Sequence, residues 1–544
     1  MINLFGTQLE YTQESVYALA ENRLKLEPRR MPLAIRVFNE VYDLRYVPRD
    51  GDVVEGLYIS SEDGFRAYRQ TIMFIFMAAA HEIYPELKIC LRRSINKSTY
   101  CEVENGVFPE EDFAVKIKAR MQQMIDSDLP IVKTTLTPEE AESIYRRMGE
   151  EESAAIISTY EKQQINLYSI GGRSIYMRGQ LACRTGVIEK FDLVNFEHGL
   201  MLTYPNFMTN GELPQPRESR RLIRVIDEFR LWGDILGIHT VADLNRAIAD
   251  GKTNDLIHMQ EGFHEKKFAQ IAQEIKVAFP RKRLVLIAGP SSSGKTTFAQ
   301  RLKIHLRING LSPVTISLDD YYRPKNEVPL DEDGKPDLET VEAIDYKLFS
   351  SHLKDLIDGK EVTLPRFDFM LGKRVAGNTL KLREEQIIIV EGIHALNEKL
   401  SFSIRACDKY KIYITPLIDL QFDDANPVSP TDLRLLRRIV RDMQFRDMDA
   451  EGTLKMWDSV QRGERNYIFP FEEQADTVFD SSFIYGFCVL KAFAWDELVK
   501  IGRDSTKYSE AQRLLDVLSH FSAMDYRNVP SYSLMREFIG GSSF

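Results

Sequence analysis

The feature that most constrains this chain is the run Gly289-Pro290-Ser291-Ser292-Ser293-Gly294-Lys295-Thr296. It fits the pattern G-x-x-x-x-G-K-S/T completely, and its flanks fit too. Before it, Leu284–Ala288 is a short, continuously apolar run, the pattern of a strand buried on both faces. After it, Phe298, Leu302 and Leu306 recur at helical spacing until the stop signal Asn309-Gly310. Strand, glycine-rich turn and helix in this order predict a loop whose backbone N–H groups curl around phosphate oxygens at the positive end of a helix. Residues Gly289 through Thr297 are therefore the expected nucleotide cradle. Lys295 is expected to reach the β and γ phosphates, and the Thr296 hydroxyl to ligate Mg²⁺.

Three further apolar runs, Val314–Leu318, Ile387–Val390 and Lys411–Thr415, alternate with helical segments. That alternation predicts an α/β unit built on a parallel sheet. At 544 residues the chain is long enough for several domains, and 44% hydrophobic with 28% charged residues is ordinary globular composition. A net charge of −10 argues against a nucleic-acid scaffold, although a local basic patch stays open. Five cysteines with no close pair exclude a disulfide framework or zinc-finger array and suit a reducing cytosol; they read as packed small hydrophobes. The apolar runs Thr71–Ala80 and Phe483–Trp495 are shorter than the roughly 20 residues a spanning helix needs. Met1–Gly6 shows no secretory pattern. The expected setting is cytoplasmic, with no membrane.

Turn chemistry divides the chain. A turn at Val47–Asp52 closes a small first unit, and Ser60–Gly64 starts a helix that runs through Ala67–Tyr84 to Pro85. Asn206–Pro216 reads as a connector, Arg220–Phe279 as helical up to Pro280, and the stretch after Trp495 as helical, then irregular from Asn528 to Phe544. The expected divisions are 1–59, 60–216, 217–280, 281–500 and 501–544.

Two acidic strand ends narrow the chemistry. Asp319 follows Ser317-Leu318, and Glu391 follows Ile387–Val390. Ligands of open α/β sheets bind beyond the carboxyl ends of the strands. Carboxylates there can hold Mg²⁺ or take a proton from an attacking hydroxyl. The bland alternatives are a helix cap for Asp319 and a solvated strand end for Glu391; of the two neighbours, Asp320 reads as the better cap. A helix starting at Thr431-Asp432 then carries Arg434, Arg438 and Arg441 on one face, with Arg437 beside them and Arg446 one turn on. Such a face calls for anions, either phosphates or Asp432 and Asp442.

In this order, Gly289–Thr296, Ser317–Arg323, Val390-Glu391-Gly392-Ile393 and Arg437–Asp442, with Ala475-Asp476 before a last strand, resemble the uridine kinase / phosphoribulokinase family over about 281–482. The resemblance implies a phosphate-loop kinase using ATP and Mg²⁺. It makes Asp319 the catalytic base and a neighbour of the metal, Glu391 a Mg²⁺ ligand, and Arg438 and Arg441 part of a lid over the phosphates. The implied acceptor is a sugar hydroxyl, typically of a nucleoside, with Tyr322 and Phe367 among its contacts. Two departures bear on the acceptor. Glu339, within Asp337–Asp345, stands where the family has a ribose-binding Asp. Phe367, Gly372, Met448 and Met456 stand where the family reads a pyrimidine with Tyr, His, Arg and Gln. An apolar site discriminates bases weakly, so altered or relaxed base specificity is expected.

The first half resembles other modules. Ile35–Leu57 resembles the end of a TGS domain, a small ubiquitin-like α+β fold. Phe74–Pro85, Glu110–Met124 and Gly179–Leu193 resemble the α+β editing domain of threonyl-tRNA synthetases. The whole arrangement resembles the long bacterial nucleoside kinases. The editing domain's metal ligands are replaced here by Phe74, Ala78, Met177 and Leu181, and His81 lacks the spacing of a ligand. The expected function is phosphoryl transfer to a small hydroxylated acceptor, most simply a nucleoside; self-association is compatible with it. The alternative is an RNA-linked or regulatory NTPase with the first half as ligand sensor.

Overall fold

In the computed structural model, Leu284–Ala288 (β1) is the central strand of a five-stranded parallel sheet. Ser312–Ser317 (β2), Gln386–Glu391 (β3), Lys409–Thr415 (β4) and Thr477–Asp480 (β5) complete it in the order β2-β3-β1-β4-β5. The structure describes residues 1–544 apart from 96–97, 104–105, 107, 109, 161–162, 207–208, 210, 215–219, 331–333 and 369–370. The division drawn at 216/217 lies within 215–219 and so falls outside the described residues.

All five residues of β1 are buried, and the pleat sends them to two cores. Val285 and Ile287 pack with Phe298, Leu302 and Leu306, the buried stripe of helix α1 (Lys295–Ile308). Leu284, Leu286 and Ala288 pack on the other face with Tyr321, Phe349 and Leu353. Coverage on both faces is why this strand reads as an unbroken apolar run. The chain goes from β1 outward to β2 on one side and later fills β4 and β5 on the other. The carboxyl end of β1 is therefore the switch point where such sheets open a crevice.

Helix α2 (Pro430–Phe445) starts where the Ser429 hydroxyl accepts the Asp432 N–H, and helix α3 (Ala450–Tyr467) follows it. The hydrophobic contacts do not stop at residue 500. Val529, Leu534, Met535, Phe538 and Ile539 belong to the same core as Val285 and Phe298. The segment expected to be irregular contains a helix, α4 (Arg536–Ile539), of a single turn, too short to show a period in the sequence.

The first half holds a five-stranded mixed sheet, from Ile2–Leu4 to Val53–Leu57, and a four-stranded antiparallel sheet ending at its edge in Ile89–Ile95. Between them runs the helix Glu62–Ile83, opened by the Ser61 hydroxyl, which accepts the Gly64 N–H at 3.2 Å. One hydrophobic cluster, from Ile2 to Tyr204 with Ala425, takes in residues of these sheets and of a three-stranded one (Val132–Leu136, Ile165–Ile170, Arg173–Tyr176), and includes Phe74, Met177 and Leu181. Burial lowers the His81 pKa to about 4, which keeps the ring neutral. All five cysteines are free; Cys101 and Cys488 are packed in cores as expected, but Cys407 is exposed on the turn Ala406–Asp408.

A hairpin from the second half joins the two. Its strands are Gln421–Asp423 and Asn426–Pro427. The Leu91 N–H donates to Asp424 O at 2.7 Å, and Gln421 Nε2 donates to Leu91 O at 2.8 Å. Asn426 Nδ2 donates to Tyr176 O, and Arg178 pairs with Asp516 at 2.8 Å. Among the described residues, no helix is long and apolar enough to cross a membrane.

Candidate active site

The phosphate loop takes its shape from two glycines. A Cβ on Gly289 would lie 2.0 Å from Ile414 O, and Gly294 opens α1 at φ +89°. The Ser292 and Ser293 hydroxyls are buried without a hydrogen-bond partner. Lys295 folds back, and its Nζ donates to Gly289 O at 3.0 Å and Pro290 O at 2.9 Å. Burial lowers its pKa, with Glu391 and Glu537 opposing.

Asp319 lies in the short turn Leu318–Tyr321 just past β2, open to solvent yet ringed by protein. Desolvation raises its pKa, and Lys295 opposes that. The cap expected of Asp320 is supplied by Ser317, whose hydroxyl accepts the Asp319 N–H, because a β2 residue already sits at the turn's start. Asp320 instead accepts the Phe367 N–H at 3.1 Å and ties the turn to the hairpin Glu361–Lys381. Glu391, at the end of β3, accepts from the Ser317 hydroxyl at 3.3 Å. Burial and then the charge of Asp319 push its carboxyl up to about 7.

Two carboxylates that repel each other at neighbouring strand ends, Asp319 and Glu391, offer, with the Thr296 hydroxyl of the loop, hard-oxygen donors. They fit Mg²⁺, which takes one or two carboxylates and fills its shell with phosphate oxygens and water. Among the described residues no larger cluster of metal-ligating side chains occurs, so this shared arrangement is what the site offers.

Helix α2 lays its arginines against the loop. Arg434 Nε donates to Ser291 O at 3.1 Å, and Arg438 Nη1 to the Ser291 hydroxyl at 2.8 Å. Arg441 stands 3.7 Å from Glu537, and Arg446 pairs with Asp442. Arg437 points the other way: it is fully buried, donates to Ser481 O at 2.7 Å and stacks on Phe538. It is a core residue.

Where the resemblance puts an acceptor, the Tyr322 hydroxyl donates to Leu338 O at 3.1 Å, and its ring meets Phe367 edge-on at 6.3 Å. Glu339 lies against α3 so closely that a Cβ on Gly463 would sit 2.2 Å from the Glu339 Cβ. Burial and the Glu464 charge raise the Glu339 carboxyl to about 7. Gly372 sits in the turn of the 361–381 hairpin, and Met456 is 44% exposed on α3.

Two residues here carried no signal in the sequence. Glu464 on α3 is 1% exposed, accepts the Ser291 N–H at 2.7 Å and pairs with Arg434. Glu537 on α4 accepts the Thr297 N–H at 3.0 Å. They lie 173 and 240 residues from their partners, and only the fold brings them near.

Residues 284–483 match the model of the phosphoribulokinase / uridine kinase family. The uridine kinase of Macrococcus caseolyticus is 32% identical over 196 residues, which are 36% of this chain and 86% of that one. The uridine kinase of Staphylococcus aureus strain JH9 is 31% identical with the same coverage. A solved structure described as a possible uridine kinase from Bacillus stearothermophilus is 20% identical, with a TM-score of 0.26, over 37% of this chain and 89% of that one. The matched region contains the phosphate loop, both acidic strand ends and the arginine helix. Through it, this chain belongs to the phosphoribulokinase / uridine kinase family.

Proposed function

We propose that this chain is an ATP-dependent kinase that transfers the γ-phosphate to a hydroxyl of a small molecule, a nucleoside or another hydroxylated metabolite. The observation that carries this reading is the placement of Asp319. Its carboxylate lies just past the end of β2, within electrostatic reach of Lys295, Arg441 and Glu391 at the end of the adjacent parallel strand β3.

In this reading Gly289–Thr297 cradle the nucleotide through backbone N–H groups, and Lys295 swings from its own loop to the phosphates. Asp319 takes the proton of the acceptor hydroxyl as the oxygen attacks phosphorus. Arg438 and Arg441 neutralise charge on the transferring group. Thr296, Glu391 and Asp319 would hold Mg²⁺, which, when bound, supplies charge neutralisation at the phosphate oxygens. Glu339 accepts hydroxyls of the acceptor, and Tyr322 and Phe367 wall the space beside it. With Phe367, Gly372, Met448 and Met456 in place of polar base readers, the acceptor's base is read loosely or is not a pyrimidine. We also propose the divisions 1–59 as TGS-like, 60–216 as editing-like without a metal, 217–280 as connector, 281–500 as kinase and 501–544 as appended helices. The uridine kinases that match this chain support nucleoside chemistry as the first class to test.

The test is ADP formation from ATP with Mg²⁺ against a panel of nucleosides, free sugars and polyols. A no-acceptor control and one with bulk tRNA accompany it. Turnover that depends on one acceptor class supports the kinase. Hydrolysis that ignores every acceptor and responds to RNA replaces it with a regulatory NTPase.

A further inference from the structure

The phosphate cradle is already satisfied by the chain's own groups. Glu464 Oε1 accepts the Ser291 N–H at 2.7 Å, at one end of the loop. Glu537 Oε2 accepts the Thr297 N–H at 3.0 Å, at the first turn of α1. Lys295 donates to the carbonyls of Gly289 and Pro290. Arg434 is paired with Glu464, Arg438 with Asp442 and the Ser291 hydroxyl, and Arg441 faces Glu537. Each cation and both of these N–H groups, which the motif offers to phosphate, hold an internal partner instead.

Ordinary helix capping does not account for this. A cap is supplied by the first residues of the helix itself, within about three positions. Glu464 and Glu537 arrive from two other helices, and both aim a carboxylate at donors of the same loop. The neighbouring Ser292 and Ser293 hydroxyls are meanwhile left buried and unpaired, so the loop is filled by anions without being completed. A carboxylate is a fair stand-in for two phosphate oxygens: it accepts the same N–H groups and pairs with the same guanidinium forks. It also repels a phosphate brought to the same place.

We propose that Glu464 and Glu537 are resident anions of the phosphate cradle, which an incoming nucleoside triphosphate must displace and which therefore set nucleotide affinity. This rests on the kinase reading of the loop. In the exchange, phosphate oxygens replace carboxylate oxygens on Ser291 N, Thr297 N, Arg434 and Arg441. For Glu537 the movement is confined to the side chain. Leu534 and Phe538, fully buried on either side of Glu537, hold its backbone in the core. Leu534 also packs against Gly294, where a Cβ would lie 3.3 Å from its Cδ2.

The experiment measures binding of adenosine 5′-(β,γ-imido)triphosphate with Mg²⁺, and of adenosine, to the full chain by titration calorimetry. Wild type, Lys295→Ala, Glu537→Gln and Glu464→Gln are compared, each with its melting temperature. The expected result is triphosphate binding about tenfold tighter in the two glutamine variants, with adenosine, which carries no phosphate, unchanged. Wild-type binding that Lys295→Ala abolishes, with no gain in either glutamine variant, overturns the proposal and leaves the kinase reading in place. Binding indifferent to Lys295→Ala overturns the reading of the loop and the proposal with it. If Glu464→Gln melts early through loss of its Arg434 pairing, Glu537→Gln decides alone, since its carboxylate keeps one ion pair, at 3.7 Å.

Discussion

As the proposed base, Asp319 must be reachable by an acceptor and still basic enough to take a proton. The first demand is met by its position on an open turn, the second by walls that raise its pKa while Lys295 restrains the rise. Asp319→Asn removes the base and leaves the cradle. Turnover in the coupled assay is expected to fall about a hundredfold to ten-thousandfold, with nucleotide Kd within a factor of about two. A parallel loss of nucleotide binding would make Asp319 mainly a metal ligand. Lys295→Ala is expected to weaken binding and turnover together; wild-type turnover in that variant would sink the loop assignment. Residues of the loop and the two strand ends were legible because their chemistry is written in consecutive positions. Glu464 and Glu537 were not, because a glutamate on a polar helix face looks the same whether it meets water or a loop 173 residues away.

Helix α3 contributes through what one of its residues lacks. Gly463 leaves room for Glu339, the residue standing where a hydroxyl-binding carboxylate is expected. Gly463→Ala would put a methyl group 2.2 Å from the Glu339 Cβ and force that carboxylate out of place. The expected effect is a fall of about a hundredfold in kcat/KM for the acceptor, read mainly as a raised KM. An unchanged KM would remove Glu339 from the acceptor site. Strands were legible at this scale because burial on both faces leaves an apolar run no other element explains. The single-turn α4 was not: one turn has no periodicity, and its Phe538 and Ile539, with Leu534 and Met535 just before it, are buried by packing against distant helices.

The contacts that unite the two halves had no local signature at all. Asp423, on the joining hairpin, is 8% exposed; its Oδ1 accepts from Ala425 N and Asn426 Nδ2, and its Oδ2 accepts nothing. Burial pushes its carboxyl from 3.8 up to about 7. Because the folded state holds that proton more tightly than the unfolded one, the Asp423 contribution favours folding at low pH. It is lost as pH rises from about 4 through 7. Asp423→Asn cannot titrate, so its melting temperature relative to wild type should climb between about pH 5 and pH 8. A gap that does not change with pH would rule out this role for Asp423.

The same hairpin has a consequence in time. The edge strand Ile89–Ile95 offers its free N–H and C=O groups to any passing strand until Gln421 and Asp424 cover Leu91. Those residues are made 330 positions later. At about 5–20 residues per second, the ribosome leaves the edge bare for roughly 15 to 65 seconds. A first half cut free of the hairpin would therefore keep an adhesive edge for good.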